Sequence, residues 1–299
     1  MTISDITKLE SGVEFIEIHN FTTGQLTDFA ERQKRFAAQI TKNWDNERKA
    51  EWITRNYLSL KMILSSTLLL NSAEYAIEKN LMVVEPYLLY YSLLNTSRAL
   101  LFSDPAMEWN RGKMIRLPHS KVINQTYDLI RIIAPEQGRE IKSLLENVRG
   151  LRELFSYRFP SNGVKGVFYQ SSEVNIDEVI SACRLLTELA QFNSEILQLS
   201  CEKNCNVKVE ISSKDLEIGF IYEDYLTSTN IEKPESIIDE EDWYRLEYFI
   251  RKRMEPVNLL WTAREGLVED FFYSWDLEEN NSEGKFDPGR NWGLLLSPL

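Results

Sequence analysis

Residues 85–122, EPYLLYYSLLNTSRALLFSDPAMEWNRGKMIRLPHSKV, decide how the rest of the chain must be arranged. They open as a helix: Pro86 fits a first turn, where its missing N–H is no loss, and Tyr87, Tyr91, Leu94, Arg98 and Leu101 recur at helical spacing. Leu89, Leu93 and Leu100 line a second side, which leaves only Ser92, Asn95, Thr96 and Ala99 as a small or polar strip. A helix apolar on nearly every side is one surrounded by other helices. Arg98 therefore stands where a charge that cannot be shed needs a partner. Two partners fit: a nearby carboxylate, Asp104 being the closest in sequence, or the phosphate of a ligand.

Asp104 and Pro105 end this helix, and the loop beyond carries Arg111, Lys113, Arg116, His119 and Lys121 with no acid among them. Pro118 resists helix continuation and Ser120 is a capping residue type, so the sequence sets His119 at the mouth of a helix over residues 121–134. Cations around an imidazole favour its neutral form, which is the form a general base needs. The plainer alternative is a solvated, charged loop in which His119 merely caps a helix.

The run PYLLYYSLLNTSRALLFSDP followed by PHSKVIN resembles the YaaC-like bacterial family and, more broadly, the HEPN group of four-helix domains. Tyr90 and Tyr91, Arg98 with Leu100 and Leu101, and His119 with Ser120 carry the resemblance, which is weak outside that stretch. It implies a HEPN-like helical bundle and a metal-independent ribonuclease of the toxin or antiviral-effector kind. On that reading His119, Arg116 and Arg98 are the catalytic groups, Arg111, Lys113 and Lys121 hold RNA, and a homodimer sets two sites side by side. The group's hallmark, an arginine and four to six residues before the histidine, is not met: Arg116 precedes His119 by three positions and Arg111 by eight. Related domains that lack the hallmark serve as binding partners. A non-catalytic, protein-binding subunit or adaptor of a larger bacterial defence complex is therefore the alternative.

Composition sets limits on both readings. With 299 residues and 43% hydrophobic content, the chain can bury a substantial core in one large domain or two ordinary ones. A net charge of −12 opposes a general nucleic-acid coat, so no general DNA binding is expected and any RNA contact must be local. Cys183, Cys201 and Cys205 are an odd number in a long chain without a signal-peptide pattern, and they read as structural thiols in a reducing cytoplasm. Neither a metal nor a cofactor is expected, because no ligand spacing and no phosphate-cradling glycine motif occurs. No apolar run is long enough to cross a bilayer, so no membrane partner is expected.

The remaining chain reads as mostly helical. Helices are expected over residues 23–44, 47–79, 121–134, onward from Pro135, and over 175–203, with a short strand at 13–18. Val207, Val209 and Ile211, then Leu216, Ile218, Phe220 and Tyr222, alternate around a turn at 212–215 and predict a small β-hairpin. A helix at 243–254 ends in a second basic patch, Arg251, Lys252 and Arg253. A last helix from Pro256 carries an aromatic stripe through Trp261, Phe271, Phe272 and Trp275 that serves either the core or a partner groove. The tail either docks through Trp292 and its leucines or binds another protein. The expected organisation is an N-terminal segment over 1–45 with a strand and a helix, a HEPN-like bundle over 46–204, and the hairpin, C-terminal helices and tail over 205–299.

Overall fold

Helix Glu85–Ser103, apolar on nearly every side, and helix Ile176–Asn204, with one apolar stripe through Ile180, Leu186 and Leu197 and another through Leu185, Leu189 and Phe192, become the axis of the protein. The structure is a computed structural model that describes Ile6 and residues 12–110, 112–163, 174–205, 210–220, 238–253, 255–263, 266–276 and 284–298. It is mainly helical, and no strand occurs among the described residues. In order, α1 spans Thr23–Lys42, α2 Asn46–Glu78, α3 Glu85–Ser103, α4 His119–Ile133, α5 Pro135–Glu153, α6 Ile176–Asn204, α7 Ser213–Phe220, α8 Glu240–Lys252, α9 Leu259–Ala263 and α10 Leu267–Tyr273.

The small strip on α3 is where its neighbours come closest. Ser92, Thr96 and Ala99 are fully buried. From α2, Ser66 Oγ donates to the Ser92 carbonyl at 2.9 Å and Ser59 Oγ to the Ala99 carbonyl at 3.1 Å. From α6, Cys183 Sγ lies 3.8 Å from Ser92 Oγ. Helix α1 covers the other side of α6, with Phe29 stacked on Phe192 at 5.9 Å and Gln33 donating to Asn193 Oδ1 at 2.8 Å. One contiguous cluster of buried side chains results, running from Ile6 through all the long helices to Leu296. No described helix is long and apolar enough to cross a membrane.

Helices α4 and α5 form a tight antiparallel pair beside α3. Gly138 makes their approach feasible, since an added Cβ would sit 3.0 Å from the Arg131 backbone nitrogen. Lys142 Nζ reaches Asn124 Oδ1 at 3.0 Å across the pair, which fixes its register.

Several expectations are corrected. The strand at 13–18 is absent: residues Glu17–Asn20 form a 3-10 turn, and only Val13 makes a bridge, to Pro298. The buried Glu188 carboxylate accepts from the backbone N–H groups of Ile16, Glu17 and Ile18 at 2.9, 3.2 and 2.7 Å, and so takes the donors that strand pairing needs. The second arm of the hairpin is helix α7, while Val207, Val209 and Tyr222 lie outside the described residues. Ser212 at the supposed turn is a helix start, its N–H and hydroxyl both donating to Asp215 Oδ2 at 2.7 and 2.9 Å.

The long last helix is instead the two short helices α9 and α10, the second starting at Gly266 in the left-handed region (φ 79°). The tail docks through Leu295 and Leu296, both buried, rather than through Trp292, which stays 40% exposed. Glu14 N–H donates to the Ser297 carbonyl at 3.0 Å, which ties the tail to the beginning of the described chain.

Candidate functional site

Helix α3 begins with Tyr90 and Tyr91 turned toward the start of α4. The Tyr90 hydroxyl lies 2.8 Å from His119 Nδ1, and the Tyr90 and Tyr91 rings stand 5.7 and 6.1 Å from the imidazole, centroid to centroid. His119 is within the first turn of α4 rather than ahead of it, and Ser120 does not cap: the N-cap is Pro118, with no side-chain capping bond. The ring is thereby held by α3 instead of by its own loop.

Two further arginines reach the same place from α5, and helix geometry explains why. Asn124 stands opposite Lys142, so about one and a half turns further toward the open end of the pair, His119 comes level with the stretch that holds Arg149 and Arg152. Arg152 donates to the Tyr91 hydroxyl at 3.2 Å, and its guanidinium carbon lies 5.1 Å from the Tyr90 ring centre and 5.6 Å from that of Tyr91. These distances are in the cation–π range. Arg149 pairs with Glu153 at 2.8 Å, on a half-exposed surface.

Arg98 completes the cluster from α3. Burial draws its guanidinium below the ordinary arginine range, and the Tyr90 and Tyr91 rings oppose this in part. Its Nε is buried without a hydrogen-bond partner, and no carboxylate among the described residues pairs with it. Asp104 is not its counterion: that carboxylate accepts from Gln33 Nε2 and from Ala106 N–H, each at 2.9 Å. The imidazole responds to this setting, since burial first, then the charges of Arg98, Arg152 and Arg149, lower the His119 pKa from its ordinary value. The neutral form of the ring is thereby favoured.

A second buried arginine shows the contrast. Arg55 of α2 donates to the carbonyls of Phe102, Asp104 and Met107 at 2.6, 2.7 and 3.1 Å and to Glu51 Oε1 at 3.0 Å, while its guanidinium lies 3.8 Å from the Trp52 ring centre. It ties the end of α3 and the following loop to α2. Arg55 has its partners within the fold; for Arg98 Nε none is present among the described residues.

The structure thus brings Arg98 and His119 into one cluster and leaves Lys113, Arg116 and Lys121 outside it. Lys113, Arg116 and Lys121 are exposed, and neither Arg116 nor Lys113 is among the charges that act on the imidazole. Arg111 lies outside the described residues. Tyr90, Tyr91, Arg149 and Arg152 were missed as site residues, although counting back along a helical hairpin from its turn at Ala134 would have flagged the two arginines. No protein-family model, no curated protein and no solved structure matches this chain.

Proposed function

We propose that this is a HEPN-like protein that engages RNA through the cluster between α3, α4 and α5 and cleaves it without a metal ion. The observation that carries the reading is the pairing of a tyrosine-held imidazole, whose neutral form is favoured, with an arginine whose Nε is buried without a hydrogen-bond partner and which no carboxylate among the described residues pairs with. An unpaired buried cation is costly, and a bound phosphate removes that cost.

In the step we infer, Nδ1–H of His119 donates to the Tyr90 oxygen, which leaves Nε2 free to accept a proton. Nε2 takes the proton of a ribose 2′ hydroxyl as that oxygen attacks the adjacent phosphorus. The bond to the 5′ oxygen breaks, water supplies the proton that the leaving oxygen takes up, and a 2′,3′-cyclic phosphate remains. Arg98 and Arg152 neutralise the charge that gathers on the phosphoryl oxygens. Tyr91 holds Arg152 in position by accepting its N–H.

The absent hallmark arginine favours a second reading, in which the same pocket binds a phosphate without cleaving and the protein serves as an adaptor within a larger bacterial defence complex. Incubation of purified protein with mixed RNAs in chelator separates the two. Catalysis requires products with cyclic-phosphate ends, intact DNA, and loss of cleavage in His119→Ala. Equal cleavage by both proteins overturns the role of His119, and binding with no cleavage by either selects the second reading.

A further inference from the structure

We propose that the outer face of α8 and α9 is a second, separate contact surface: a stacking platform for single-stranded RNA. Helix α8 is fastened from within. Asp242 accepts from the Tyr57 hydroxyl at 2.7 Å and from Lys61 at 2.5 Å, and Leu246 and Phe249 are buried. That anchoring leaves Tyr244 and Tyr248, four residues apart and so on one face, 60% and 37% exposed. Trp261 of α9 is 38% exposed. A cleft of about 190 Å³ opens between α8, α9 and α10, with Tyr244, Tyr248 and Thr262 in its walls together with Glu241, Arg245 and Asp270.

Cations flank these rings. Arg251 and Lys252 lie 5.9 and 5.5 Å from the Tyr248 ring centre, and Arg253 lies 5.5 Å from that of Trp261. In a chain of net charge −12, the exposed Arg251 and Lys252 make the C-terminal end of α8 the place where a polyanion can approach, while Glu241 and Asp270 in the cleft keep its phosphates to that end. Flat rings accept any base face, while adjacent guanidinium and ammonium groups meet the phosphates. A protein partner fits less well, since its apolar core would have to strip water from the exposed Arg251 and Lys252.

The surface is distinct from the His119 cluster. Tyr57 and Lys61 hold α8 in the part of α2 that meets the C-terminal half of α3 through Ser59 and Ala99, whereas Tyr90 and Tyr91 lie at the other end, near the Ser66–Ser92 contact. The choice of RNA rests on the reading of that cluster. The platform itself recognises bases and phosphates, which RNA and DNA share, so it retains single-stranded polymer while the 2′ hydroxyl decides what is cut.

The test is fluorescence anisotropy with a labelled single strand of about 12 nucleotides made of deoxynucleotides, which the His119 chemistry cannot cleave. We expect binding that weakens with salt, a duplex of the same sequence to bind less tightly, and Tyr248→Leu or Arg251→Glu to weaken binding by about tenfold. Tyr248→Leu keeps an apolar side chain and Arg251 is exposed, and an unchanged circular-dichroism melt verifies that each variant folds. Wild-type affinity in both variants overturns the platform. So does a homodimer that dissociates on these substitutions in a protein that binds no oligonucleotide. Neither result depends on cleavage, so failure of the platform and failure of the His119 reading are distinguishable.

Discussion

Replacing Arg98 and Arg55 separately by methionine should move stability in opposite directions. Methionine preserves most of the aliphatic stem and deletes the charged head, so each variant isolates what that head contributes. At Arg55 the head serves three backbone carbonyls and the Glu51 carboxylate at 2.6–3.1 Å. Buried acceptors left unsatisfied cost about 1 kcal/mol each or more, and breaking a buried ion pair costs about 3–5 kcal/mol. Arg55→Met should therefore lose about 4 kcal/mol. At Arg98 no such set occurs among the described residues and Nε is buried without a partner, so removal relieves a penalty and should stabilise by about 1 kcal/mol. Urea unfolding reads both: with a slope of about 3 kcal/mol/M, the midpoint falls by more than about 1 M for Arg55→Met and rises by about 0.3 M for Arg98→Met. The more stable variant should also be the one that no longer engages RNA, as expected where a site holds unfavourable charge for a ligand. If Arg98→Met lost as much stability as Arg55→Met, Arg98 would be a structural residue and the proposed pocket would lose its centre.

Two further outcomes follow from the same electrostatics. Carbon-13 histidine NMR should show His119 titrating below its ordinary value of 6.5, and Arg98→Met should raise that midpoint by removing the foremost of the charges that lower it; because the neutral ring is the active form, cleavage should fall as pH drops through this lowered midpoint, and a midpoint above 6.5 would contradict the neutral-base reading. Glu195 on α6 is fully buried, accepts from Gln191 at 2.8 Å, and is pushed up by burial from 4.5 to about 7. A raised carboxyl pKa makes a contribution that is fully present below 4.5 and is lost as pH rises to about 7. The linkage amounts to about 3 kcal/mol. Glu195→Gln should therefore match the wild type near pH 4.5 and exceed it by about that amount at pH 8 in urea unfolding, whereas parallel pH profiles would refute the burial argument.

Helix positions were legible wherever burial was lopsided or complete. The stripes of α3 and α6 marked them as central, and the Pro135 start of α5 follows from its fixed φ. The errors share a cause: a local pattern compatible with two states was settled by a distant group. Leu216, Ile218 and Phe220 alternate as a strand would, yet Ser212 and Asp215 cap a helix there. Residues 13–18 look extended, yet Glu188, some 170 positions away in the chain, collects their donors. The candidate site divides the same way. Arg98 and His119 stand out in the sequence by being improbable where they are, while nothing local marks Arg149 and Arg152, whose place follows only from the register of α4 against α5.

That division suggests how to sort buried arginines from sequence. Arg55 was overlooked, although Glu51 lies four residues before it and Trp52 three, which are the positions from which a helical neighbour can pair with or stack on a guanidinium. Its partners were therefore in part already written on its own helix. At the corresponding positions Arg98 has Leu94, Asn95, Leu101 and Phe102, none of them an acid. With no acid at those positions, the groups that offset the burial of its charge are the Tyr90 and Tyr91 phenols. A fold that keeps this arrangement accepts a standing electrostatic cost, and an anion arriving beside His119 is the group that would remove it.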